Sequence, residues 1–176
     1  MLTQFGDVVL IHGNNPLSHL IQLITKSYWS HSALALDPGW VAEMGASGFN
    51  IRPLTFEHPF AVLRHRDLLN PYTPESQKTL LRMRNVIKRI EAAPPEFDYP
   101  KMFWLGLKLI KKRLIAALAK EEIGAFFCSA LVDYVYEQSG IDLFPGRRPD
   151  DTTPANLEEL ASGENPVFVL VYSNKN

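Results

Sequence analysis

The 176-residue chain has one cysteine, Cys128, so it holds no internal disulfide and no metal site built on cysteine pairs. It has no surplus of either charge: the net charge is -1, and no overall field draws it to nucleic acid or an acidic surface. It has no apolar run approaching the ~20 residues that span a bilayer. The start, MLTQFGDVVLIHG, lacks a basic region, a long apolar stretch and a small-residue cleavage site, so the expected location is cytoplasmic. Internal repeats and low-complexity tracts are missing too. What is left is ordinary globular composition, 46% hydrophobic and 21% charged, which at this length predicts one domain over residues 1–176 with a sizeable core.

The apolar run DVVLIH reads as a buried strand. NNPLSHLIQLITKSY follows with Leu17, Leu20, Ile21 and Ile24 at helical spacing. SHSALAL and WVAEM read as strands around the turn chemistry of Asp37-Pro38-Gly39, and FAVLRH as another strand. Thr73-Pro74-Glu75 opens a helix with an N-cap, a proline at the first position and an acid in the first turn; Leu80, Met83, Ile87 and Ile90 give its stripe, and Pro94-Pro95 stop it. A third helical segment runs through MFWLGLKLIKKRLIAALAKEEIG, and a fourth from Cys128 to Ser139, closed by Gly140. DTTPANLEEL starts a short last helix and PVFVLVY a closing strand. Strands early and at the end with helices between predict an α+β fold.

Cys128 is open to two readings. A free cysteine is commonly a small buried hydrophobe. At the start of a helix, as the sequence places it, unpaired N–H groups and the helix dipole would favour a thiolate and could also hold a tetrahedral oxyanion. A thiolate nucleophile needs a base. Among five histidines, His12 ends the first strand, His19 shares a polar helix face with Gln22 and Lys26, and His58 and His65 lie near Glu57 and Arg64. His31 lies on the inner hairpin. With Asp37, Pro38 and Gly39 as the loop, Leu36 faces Trp40 and Ala33 faces Glu43, so His31 is a diagonal neighbour of Glu43 on one sheet face. Glu43 could then orient the imidazole, as in a catalytic triad; an even-numbered loop would separate the two. An exposed glutamate beside an unrelated histidine is the alternative.

GDVVLIHG, then WSHSALAL with a histidine opening a strand, then VAEMGASG, resemble the permuted NlpC/P60 papain-like proteins. They look most like the YiiX/YebB group, a neighbour of the lecithin:retinol acyltransferase-like proteins. FFCSALVDYVYEQSGIDL resembles that group's cysteine helix, DTTPANLEELASG its threonine-proline segment, and FDYPKMFWLGL its tyrosine-containing lead-in to a variable helix. The resemblance implies a circularly permuted papain-like fold with an antiparallel sheet packed against helices, residues 96–123 forming a variable amphipathic segment, and the histidine preceding the cysteine. It implies Cys128 as nucleophile, His31 as base and Glu43 as orienting group, with Ser32, Ser129 and Tyr99 as candidate substrate or oxyanion groups. No cofactor and no metal are implied.

The function expected is a cysteine hydrolase of the amidase or peptidase type. Its substrate would be a peptide, an acyl-containing small molecule or a lipid. An acyltransferase on the same site and a non-catalytic peptide- or lipid-binding module are the alternatives. Residues 101–120 carry six cations and no acid, with Phe103, Leu107, Ile110, Leu114 and Leu118 at helical spacing. That pattern suits a peripheral membrane contact, but chain neutrality favours an ordinary surface helix.

Overall fold

The computed structural model describes residues 3–45, 48–55, 57–93 and 122–175. Residues 102–121 of the third helical segment, the basic stretch 101–120 and Tyr99 lie outside the described residues. Along the chain come β1 (Val8–Ile11), α1 (Pro16–Thr25), β2 (His31–Asp37), β3 (Trp40–Gly45), β4 (Gly48–Pro53) and β5 (Phe60–His65). After them come α2 (Pro74–Ala92), α3 (Glu122–Gln138), α4 (Pro154–Glu159) and β6 (Phe168–Ser173). Short 3-10 turns cover Arg66–Leu68 and Pro149–Asp151.

The six strands form one sheet in the order β4-β3-β2-β1-β5-β6, every neighbouring pair antiparallel. This is the α+β class the sequence predicted. β1 is central, and its four residues are all buried, as a continuous apolar run on an inner strand requires. Val8 and Leu10 face a core shared with Met83, Val86, Ile87 and Ile90 of α2 and with Leu131, Val132, Val135 and Tyr136 of α3. Val9 and Ile11 face a second cluster with Ala33, Ala35, Val41, Leu54, Phe60 and Val62. The alternation of side chains along a strand thus divides the interior into two layers.

Helix starts follow the sequence signals. The Asn15, Thr73 and Thr153 side chains each accept a backbone N–H in the first turn of α1, α2 and α4, and each is followed by proline at the first helical position. α2 ends at Ala92, before the two prolines, and Gly140, at φ +95°, follows α3. Its buried stripe differs slightly from expectation: Val86 is fully packed, while Leu80 is only partly covered.

Two expectations need correction. The strand β4 was not foreseen, because GFNIRP begins with glycine, ends with proline and alternates weakly. And the described part of α3 runs from Glu122, so Cys128 lies at least six residues inside its helix rather than at its first position. Glu122, Ile123, Ala125, Phe126 and Phe127 all tolerate a helix, and one interior glycine, Gly124, costs only about 1 kcal/mol. Residues 122 and 123 lie in the same helix as Cys128.

Candidate active site

The β2–β3 hairpin is built differently from the expected three-residue loop, yet reaches the same register. The turn is the two residues Pro38-Gly39, with Gly39 at φ +83°, and Asp37 pairs with Trp40. An even loop alone would have sent His31 and Glu43 to opposite faces. A shift between Ala35 and Asp37 makes Leu36 the extra residue of a bulge, and beyond it Ala35 pairs with Val41 and Leu34 with Ala42. The bulge restores the parity that the turn removes.

His31 and Glu43 accordingly meet: His31 Nε2 lies 2.8 Å from Glu43 Oε2. A carboxylate accepts, so Nε2 carries the proton and Nδ1 is the ring nitrogen left for other partners. α3 packs across β2 and β3 and brings Cys128 to the start of β2, where the His31 ring hydrogen-bonds the sulfur. Ser32 contributes a side-chain and a backbone hydrogen bond to the same sulfur. Ser32 Oγ is 3.0 Å from Ser129 Oγ, and Ser129 Oγ is 3.9 Å from Cys128 Sγ. Of the six residues singled out by sequence, five converge here; Tyr99 is outside the described residues.

The electrostatics favour a thiolate–imidazolium pair. Burial pushes the Cys128 thiol up, but the His31 charge and the hydrogen bonds from His31 and Ser32 outweigh it and lower the thiol below its ordinary value. Burial alone would lower His31; the charge and hydrogen bond of the Cys128 thiolate, then those of Glu43, raise it to about 10. Burial would raise Glu43, yet the hydrogen bonds from His31 and Arg52 and their charges bring it to about 2. Cys128, Ser32 and Ser129 are fully buried, whereas the His31 side chain keeps 25% of its surface open.

Arg52 on β4 was missed. It forks onto Glu43, Nε donating to Oε1 at 2.7 Å and Nη2 to Oε2 at 2.9 Å. A signal existed: Arg52 pairs with Val41 across β3–β4, so it lies diagonal to Glu43 on the same face. Without β4 that diagonal could not be drawn.

The helix-start argument for Cys128 does not hold in this geometry. An amide at least six residues inside a helix is committed to the carbonyl four residues back, so the Cys128 N–H is neither an oxyanion donor nor at the positive end of the dipole. His31 and Ser32 supply the stabilisation instead. The remaining histidines are elsewhere. His12 stacks on Tyr28 at 4.1 Å, His19 is exposed beside Gln22, and His65 is buried against Tyr136 and Phe168 rather than in the polar setting expected for it.

No family model matches the chain, and no curated protein matches it. Among solved structures the fold is similar to that of the metalloprotein yiiX from Escherichia coli O157:H7 (DUF1105). The TM-score is 0.52 at 18% identity, covering 99% of this chain and 91% of that one.

Proposed function

We propose that the chain is a cysteine hydrolase of the amidase or peptidase type, on a circularly permuted papain-like fold of the NlpC/P60 kind. The observation that carries the reading is the contact of the Cys128 thiol with a histidine whose far nitrogen is held by a carboxylate. The order of His31 before Cys128 and the likeness in fold to yiiX support the permuted arrangement.

The Cys128 thiolate attacks a substrate carbonyl, and the tetrahedral oxyanion collapses to an acyl-enzyme as His31 gives its proton to the leaving amine. His31, now neutral, takes a proton from water, which attacks the acyl carbon and releases the acid and the thiolate. Another amine or alcohol in place of water makes the same steps an acyl transfer. Ser32 and Ser129 are the hydroxyl donors beside the sulfur.

The neighbour's metal does not transfer to these residues. Among the described residues no group of three or more His, Cys, Asp or Glu side chains is disposed to hold an ion, and the Glu43 carboxylate is already engaged by His31 and Arg52. No step here runs through a metal. Among the described residues no helix is long and apolar enough to cross a membrane.

A non-catalytic binding module is the second reading, favoured by the complete burial of Cys128. Iodoacetamide separates the two. A catalytic pair predicts alkylation of Cys128 near neutrality that slows in His31→Ala, and an acyl adduct on Cys128, read by mass spectrometry, after incubation with peptidoglycan peptides or lipid esters. A thiol indifferent to His31, with no adduct, overturns the enzyme reading.

A further inference from the structure

We infer that Arg52 is a positioning residue of this site, acting on His31 through Glu43; the inference deepens the cysteine-hydrolase reading and rests on it for its catalytic consequence. Three observations carry it. The guanidinium meets Glu43 through two parallel bonds, the geometry that fixes a carboxylate in its plane as well as its position. Oε2 accepts from both Arg52 Nη2 and His31 Nε2, so the atom that holds the imidazole is itself held. The third nitrogen, Nη1, donates to the Pro53 carbonyl at 3.2 Å, so each guanidinium nitrogen already has a partner within the protein.

An ordinary surface ion pair would contribute almost nothing, because solvent screens it and two side chains lose freedom. Here the Glu43 side chain is 14% exposed, and a carboxylate without its guanidinium would have room to turn toward water. Arg52→Ala would then free the imidazole about the β2 start and misplace Nδ1 relative to the sulfur. Lysine keeps the charge but offers no fork, so Arg52→Lys should fall between wild type and alanine.

The test is a double-mutant cycle on the full chain with two readouts. The His31 Nε2 proton is followed by NMR, where its bond to Glu43 should make it downfield and slow to exchange, and Cys128 alkylation is followed against pH. We expect Arg52→Ala to abolish the protected proton and slow alkylation at neutral pH about tenfold, a size consistent with misplacing a reacting group by a fraction of an ångström. In a Glu43→Gln background Arg52→Ala should add nothing, because its effect passes through that carboxylate. A protected proton unchanged in Arg52→Ala, or effects that add independently, overturns the inference. The proton readout does not depend on a reactive thiol. If alkylation ignores His31→Ala while the proton still responds to Arg52, the hydrolase reading fails and the positioning of His31 by Arg52 stands.

Discussion

Cys128 is held by two opposed effects. Burial disfavours its charge, and His31 with Ser32 restores it, so the thiolate depends on partners within reach rather than on solvent. The sign of the pH dependence follows. A lowered thiol and a histidine raised to about 10 give a pair that persists through neutrality. Turnover that needs the imidazolium should fall as pH rises through about 10, whereas alkylation, which needs only the thiolate, should fall at the acid end. Glu43→Gln removes one of the contributions that raise His31, so the alkaline fall should move to lower pH, as a pH–rate profile would record. The same change leaves Arg52 facing an amide in place of a carboxylate, and a loss of about 2 kcal/mol in urea unfolding is expected for a largely covered charge-assisted contact.

At the scale of elements the hairpin decides whether the site exists. Side chains alternate with period two, so the bulge that leaves Leu36 out of the pairing is what keeps His31 and Glu43 together across a two-residue turn. Deleting Leu36 should remove the bulge and leave Asp37 on Trp40 and Ala35 on Val41, so alkylation of Cys128 should stay sensitive to Glu43→Gln. Inserting one residue between Val41 and Ala42 should instead move Glu43 by one position, turn it away from His31 and abolish that sensitivity. Circular dichroism of both variants checks that the sheet survives. At the far end of the chain, Thr153 and Asn156 cap α4 reciprocally. Thr153→Ala should cost about 1 kcal/mol in urea unfolding without altering alkylation, since the cap touches none of the site residues.

For the whole molecule, buried titratable groups set a pH window of stability. His65, packed against Tyr136 and Phe168, is lowered by burial, so the unfolded chain binds the extra proton and stability is lost as pH falls below 6.5. Glu43, held at about 2, adds stability above 4.5 that is lost as pH falls toward 2. Asp133 on α3 runs the other way: burial first, then the charges of Glu137 and Asp142, raise it to about 6 despite the 2.6 Å bond from Thr152. The folded state then binds the proton more readily, and stability falls as pH rises from 3.8 through about 6. Asp133→Asn keeps an acceptor for Thr152 and removes the charge. It should stabilise the protein at pH 8 by about 2 kcal/mol and leave it unchanged at pH 3, a difference that thermal unfolding at the two pH values resolves.

Local chemistry by itself determined much of this protein. Asn15, Thr73 and Thr153 beside prolines set three helix starts, VVLI set the central strand, and the spacing across Asp37–Gly39 set His31 on the face of Glu43. These are legible because caps, turns and alternation act over a few residues. The tertiary structure alone decided the rest. The turn and the bulge are two parity changes that cancel, and a count along the chain sees only their sum. The helix of Cys128 includes Glu122, six residues ahead of the thiol, and runs through Gly124, which local propensity does not mark as helical. Arg52 reaches Glu43 only because a weakly patterned strand pairs with β3. The contact of Cys128 with His31 joins residues nearly a hundred positions apart, and only the packing of α3 on the sheet could bring that thiol to that imidazole.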